Sequence, residues 1–261
     1  LNNYLYILQS SIDRIDKLDL STNTLTAITD DNEFSSSFAN MTTDGTYLYV
    51  SEWGYNRILR FPLNGTSSTK KFVWKNGLSD VAGIICIDSN IYVVGHNHSI
   101  IKKVPINSDG TAGNIDHSFA TMPGPYLGGL INIGTDIYFG DANNTKIYKI
   151  DTTTSPPTVT ALQSGGSDLV LSFEPYRLSH DGTNLYAWDN PTSNHEIFKI
   201  PINSDGTAGT EVSFVGSNTP GSADGTGSAA RFNKPYDMIH VFFPFAGKNN
   251  IAIGEKALFS N

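Results

Sequence analysis

The nine residues PINSDGTAG (105–113) recur letter for letter at 201–209, 96 positions later. Asn, Ser, Asp and Gly are what a long hairpin turn needs, and an identical polar turn used twice marks a repeated structural unit. A second pattern sets the length of that unit. A tight turn followed by an aromatic-aliphatic run occurs as DGTYLYV (44–50), DSNIYVV (88–94), GTDIYFG (134–140) and DGTNLYAW (181–188), with NNYLYIL (2–8) as a fifth copy. The tyrosines at their centres lie 43 to 48 residues apart, so two units separate the PINSDGTAG copies.

Each unit reads as four short strands. A short apolar run (FANMTT, VAGIICI, YLGGLINI or YRLSHD) precedes the turn. An alternating one follows the aromatic run (RIDKLDL, RILRFPL, SIIKKVPI, KIYKIDT or HEIFKIPI), and then a further strand such as TLTAIT, KKFVWK or TEVSFVG. The DG and SN turns supply the positive-φ positions of tight antiparallel hairpins. No helical-period segment long enough for a crossover separates the strands, which excludes a parallel sheet. The pattern predicts an all-β fold: a β-propeller of four-stranded blades, five in number, over residues 1–243, with a separate tail at 244–261. The first repeat begins at its second strand, while KPYDMIHV (234–241) reads as a first strand without a partner. The first blade is therefore expected to close by joining YDMIHV to NYLYIL, which removes an open edge. Six blades is the alternative, with NNIAIG (249–254) as the second strand of a truncated sixth.

Composition narrows the partners. Only 16% of residues are charged and the net charge is −8, which disfavours binding to nucleic acid or an anionic membrane surface, both of which rest on Lys and Arg. No apolar run approaches the ~20 residues needed to span a bilayer. The single Cys86 can form no internal disulfide and reads as a small strand residue in VAGIICIDSN. With no initiator Met and no signal-like start, the chain is expected to be a processed form or a fragment. Asn40, Asn64, Asn97 and Asn143 begin N-x-S/T sequences, which matter only in a secreted eukaryotic protein.

Two segments carry resemblances. GSADGTGSAARFNKPYDM (221–238) resembles the linker and inner strand of NHL-repeat propellers, and SEWGYNRILRF (51–61) resembles their passage from second to third strand, with Asn56, Arg57 and Ile58 matching its N-R-I core. The resemblance covers residues 1–243 at blade level and implies a propeller with a binding platform, not one function. GKNNIAIGEKALFSN (247–261) is similar to one copy of the N-N-x-A-I-G-x-x-A-L repeat of trimeric adhesin heads and phage tail-fibre-like proteins, at Asn249, Asn250, Ala252, Ile253, Gly254, Ala257 and Leu258. That resemblance implies a propeller carried on a longer fibre, homotrimeric through sequence beyond Asn261. A frayed end or a sixth blade is the other reading.

In a four-stranded blade the loops from second to third strand, and from fourth strand to the next blade, open on one face. Candidate ligand-binding residues there are Trp53, Tyr55, His96, His98, Tyr126, Asp141, Tyr176, Trp188, Asp189 and Tyr236. Aromatic rings would cover the apolar faces of a sugar or peptide while amides and carboxylates take its hydroxyls; packing between blades is the competing role for the tryptophans. His96 and His98 lack the further ligands a metal would require, and single-Asp loops offer few of the six to eight oxygens calcium prefers. No metal and no cofactor is expected.

The sequence thus favours a non-enzymatic recognition or adhesion module, extracellular or on a cell or virion surface, that binds a glycan or surface protein. The alternative is a metal-dependent lactonase- or lyase-like enzyme. S-D-G turns are similar to those of gluconolactonase-like propellers, a resemblance that points to Asp80, Glu174 and Asp237 near the axis, with Arg177 beside them. Their spacing matches no full ligand set, and no nucleophile elbow, phosphate loop or zinc-helix motif is present.

Overall fold

A computed structural model describes residues 4–9, 14–19, 22–29, 38–64, 72–79, 81–95, 98–124, 129–189, 195–233, 238–241 and 250–253. Among them there is no α-helix; strands and three short 3-10 turns make the structure. The fold is an all-β propeller plan of antiparallel four-stranded blades, and by compactness the chain divides into residues 1–121 and 122–261.

In the first unit, blade 1 contributes β1 (Tyr4–Gln9), β2 (Arg14–Asp19) and β3 (Thr24–Ala27). Blade 2 comprises β4 (Phe38–Thr43), β5 (Tyr47–Glu52), β6 (Arg57–Pro62) and β7 (Phe72–Lys75). Blade 3 comprises β8 (Gly83–Ile87), β9 (Asn90–Val94), β10 (Ile100–Pro105) and β11 (Asp116–Thr121). In the second unit, blade 4 comprises β12 (Ile131–Ile133), β13 (Asp136–Asp141), β14 (Lys146–Asp151) and β15 (Thr158–Ala161), followed by a small hairpin of β16 (Gln163–Ser164) and β17 (Ser167–Asp168). Blade 5 comprises β18 (Pro175–His180), β19 (Asn184–Asp189), β20 (Glu196–Pro201) and β21 (Val212–Gly216). Each sheet is a meander in chain order, as hairpin connections dictate.

The repeat holds at the level of single cross-strand pairs. Tyr6 faces Lys17, Tyr49 faces Arg60, Tyr92 faces Lys103, Tyr138 faces Lys149 and Tyr186 faces Lys199. A tyrosine on the second strand thus meets a cation on the third in all five blades. In three blades a phenylalanine of the outermost strand adds a ring: Phe72 lies 5.1 Å from Arg60, Phe119 5.4 Å from Lys103 and Phe214 6.0 Å from Lys199. The aliphatic stem covers apolar surface while the charged head stays near a ring face.

In blades 2 to 5 the second strands are buried on both sides, and alternation assigns each side to a different core. Leu48 and Val50 of β5 pack with Ile15 and Ile28 of blade 1. Tyr49, between them, packs with Ile84, Ile91 and Val93 of blade 3. In the second unit Leu185 and Ala187 join Tyr138 and Ile147 of blade 4, whereas Tyr186 and Trp188 point the other way, toward Ile197 and Phe232. Cys86 is a half-buried strand residue whose thiol is pushed up to about 11, first by burial and then by Asp44 and Asp88.

The PINSDGTAG copies have the same internal wiring. The Asp109 and Asp205 carboxylates accept the N–H and hydroxyl of Thr111 and Thr207, and Asn107 and Asn203 donate to those hydroxyls at 2.9 Å. Gly110 and Gly206 stand at φ 78° and 81°, a conformation that glycine adopts without strain. Each copy docks on the preceding blade or the hairpin that follows it. The Gly110 carbonyl accepts from Trp74 Nε1 at 3.0 Å and from Arg60, and the Ala208 N–H donates at 2.7 Å to the Gln163 carbonyl in the hairpin that follows blade 4. Architecture accounts for the identity of the two stretches.

At the C-terminal end β22 (Met238–Val241) pairs with β23 (Asn250–Ile253), Met238 facing Ile253. This is the partner expected in the six-bladed alternative; β23 takes the position given above to the N-terminal strand. A segment eight residues away reaches an open edge with little loop-closure entropy. β23 falls within the adhesin-like stretch, whose other residues lie outside those described.

The turn preceding β19 supports a test. Asp181 accepts the N–H groups of Thr183 and Asn184 at 2.8 and 2.7 Å, the Asn184 amide at 2.8 Å and the Tyr186 hydroxyl at 2.9 Å; Asp44 binds Thr46, Tyr47 and Tyr49 in the same way. Burial would raise the Asp181 pKa, but the hydrogen bonds from Asn184, Thr183 and Tyr186 outweigh it and hold the carboxyl well below its ordinary value. A carboxyl whose pKa falls on folding contributes stability that is complete above the unfolded-state pKa and is lost as pH drops below it. Asp181→Asn is expected to cost about 1–3 kcal/mol in urea unfolding at pH 7, with the gap to wild type narrowing below about pH 4. A gap constant down to pH 3 would contradict the assignment.

Candidate functional site

The connections between second and third strands carry the candidate site. In blade 2, β5 ends at the buried Glu52, Trp53–Tyr55 form one 3-10 turn, and Asn56 at φ 53° reverses the chain into β6. Blade 4 repeats this backbone: β13 ends at Asp141, Ala142–Asn144 form the turn and Thr145 stands at φ 51°. Asn tolerates the left-handed region, whereas a β-branched Thr there is strained. The carbonyls of these reversing residues accept the N–H of Leu78 at 3.1 Å and Leu171 at 2.8 Å. Both leucines follow a fourth strand, so within each unit the two classes of loop meet on the same face, as expected.

The two turns differ in what they expose. Glu52 is 0% exposed and forms an ion pair with Arg57, whose guanidinium lies 4.6 Å from the centre of the Tyr55 ring. Trp53 and Tyr55 are 49% and 53% exposed. A buried anion thus fixes the arginine that carries one of two displayed rings. In blade 4 Asp141 is 3% exposed and capped by Asn144, from its N–H at 3.2 Å and its amide at 2.8 Å. A Cβ on Gly124 would stand 3.0 Å from its Oδ2. Asp141 therefore serves the turn, and it is not displayed on the loop face as the sequence pattern suggested.

Trp188 is likewise a core residue, 1% exposed, and its indole N–H has no partner among the described residues. Its direction follows from β19, where alternate residues face Phe232. Tyr176 is half-buried on β18, His98 is exposed with its N–H on the Gly95 carbonyl at 3.1 Å, and Asp189 closes β19 opposite Pro175. His96, Tyr126 and Tyr236 lie outside the described residues. Of the acids named for an enzyme, Asp80 and Asp237 also lie outside them, while Glu174 is exposed and Arg177 pairs across the strands with Trp188. Among the described residues no group of three His, Cys, Asp or Glu could hold a metal ion, and no helix is long and apolar enough to cross a membrane.

Glu52 and the buried His195 are what the sequence reading missed. For Glu52 a signal existed: an acid five residues before a base, flanking the turn, recurs as Glu52–Arg57 and Asp141–Lys146, which are cross-strand partners. Lys146 goes instead to the exposed Asp168 at 2.8 Å; that hydrogen bond raises the lysine pKa and lowers that of Asp168.

No protein-family profile matches the sequence, and no curated protein sequence does either. Solved structures do match. A chain of a nidogen/laminin complex is 19% identical with a TM-score of 0.59, over 82% of this chain and 76% of that one. Virginiamycin B lyase from Staphylococcus aureus is 15% identical with a TM-score of 0.57, over 97% and 74%. An auxiliary nutrient binding protein from Bacteroides ovatus is 13% identical with a TM-score of 0.64, over 92% of this chain and 61% of that one. A Bacteroides thetaiotaomicron protein of unknown function is also matched over only 62% of its length. These likenesses show the fold, the β-propeller class.

Burial separates the two turn pairs. Arg57→Met strands a carboxylate that is 0% exposed, whereas Lys146→Met releases one that is 46% exposed. Thermal or urea unfolding is expected to show a loss of about 3 kcal/mol or more for the first and little or no measurable change for the second, where solvent screens the exposed pair. Equal losses would contradict the assigned roles.

Proposed function

We propose that the protein is a recognition module that binds a glycan or a surface protein through the loop face bearing Trp53 and Tyr55. The observation that carries this reading is a pair of half-exposed rings on one turn, that of Tyr55 lying against the arginine of a buried Glu52–Arg57 ion pair. Rigid rings on a pinned turn lose little entropy on binding, which suits them to act as anchors. The 16% charged content leaves such rings less competition from solvated charge. Among the matched folds are a chain of a complex with laminin and a nutrient binding protein, so the scaffold is one that binding proteins use. The adhesin-like tail adds the further proposal that the propeller sits on a homotrimeric extracellular or virion fibre, where three weak sites act together through effective concentration.

The test is a glycan and surface-protein array probed with the chain extended beyond Asn261, its mass read by light scattering. The reading predicts a trimer and a specific ligand, with affinity falling at least tenfold (about 1.4 kcal/mol) in Trp53→Ala/Tyr55→Ala while the melting temperature holds. Unchanged binding by that variant would remove the loop face as the site, and a monomer would remove the fibre.

A further inference from the structure

The opposite end of the first unit holds a cavity, distinct from the loop face. Strand β5 runs from Tyr47 to Glu52, so the turn before it and the residues after β6 lie a full strand length from Trp53. There, between blades 1 and 2, a cavity of about 450 Å³ is lined by Tyr4, Tyr6, Lys17, Thr46, Tyr47 and Asn64, among others. That volume lies within the range of small-molecule sites, roughly 300–1,000 Å³. The Tyr6 hydroxyl donates to the Leu63 carbonyl at 3.1 Å and ties the two blades together at the cavity.

Its polar groups have a distinct sign. Lys17 is half-buried, its ammonium 4.8 Å from the centre of the Tyr4 ring, and among the described residues it has no carboxylate partner. The acids nearest in sequence do not line the cavity: Asp44 accepts from the N–H groups of Thr46 and Tyr47 and from the Tyr49 hydroxyl, and Asp19 accepts from the Thr22 N–H. Arg60 lies 4.2 Å from the centre of the Tyr47 ring but bonds to the Gly110 carbonyl and does not line the cavity, so Lys17 is the charged residue of its lining. A half-buried cation with no carboxylate partner among the described residues favours an anionic ligand. Tyrosine faces suit the C–H surface of a pyranose, and the Thr46 hydroxyl and Asn64 amide can serve its hydroxyls.

We propose that this cavity is a binding site for an acidic sugar, its carboxylate on Lys17 and its ring against Tyr4 and Tyr47. The inference stands independently of the loop-face reading. It is tested by calorimetry and amide NMR with methyl β-D-glucuronide, using methyl β-D-glucoside as the neutral probe. The glucuronide is expected to bind at least about tenfold more tightly than the glucoside, to move the signals of Lys17, Thr46, Tyr47 and Asn64, and to leave those of Trp53 and Tyr55 in place. Lys17→Met should erase the preference and Lys17→Arg should retain it. No binding up to millimolar glucuronide, equal affinity for both probes, a preference surviving in Lys17→Met, or shifts confined to the loop face would each overturn the proposal.

Discussion

The second strands of blades 2 to 5 are buried on both faces, and the rest of the structure answers to that constraint. On β5, Leu48 and Val50 serve one core while Tyr49 serves the next. A slip of one residue in register would exchange the two sets. The register is held by a tight turn at one end of the hairpin stack and by a tyrosine–cation pair in its middle. Where Asp44 or Asp181 occupies the turn, one carboxylate closes the backbone and also receives the buried tyrosine hydroxyl five residues on. The hydroxyl proton is correspondingly hard to remove: burial and then Asp181 push Tyr186 up to about 12.

The site inherits its geometry from the same constraint. Because β5 and β13 remain buried to their last residues, each delivers a carboxylate, Glu52 or Asp141, to the base of its turn. In blade 2 that charge is paired with arginine and the turn displays aromatic rings; in blade 4 it is consumed as a cap and the turn displays amides. One backbone thus carries two chemistries, and function lies in the side chains added to a common frame.

Much of this was legible in the sequence. Turn-and-tyrosine spacing gave the blades and their strand order, because Gly, Asp and Asn at positive φ are local requirements that nearby residues satisfy. The PINSDGTAG repeat was legible as architecture for the same reason. What could not be read depends on direction and distance. Trp188 and Asp141 belong to loop-proximal segments, yet their burial is decided by which way the last strand residue points and what packs above it, Phe232 or Gly124. The partner of β22 turned on a choice between a nearby segment and a distant one, which composition does not rank. The Tyr4–Lys17–Tyr47 cavity arises between two blades and has no linear signature.

Hydrogen–deuterium exchange read by mass spectrometry tests the central claim, that one register governs every blade. Protection should peak four times along the chain, at Tyr49, Tyr92, Tyr138 and Tyr186, with β7, β11, β15 and β21 exchanging faster as the outermost strands. A profile without that 43- to 48-residue period, or with its maxima on the outermost strands, would contradict the account.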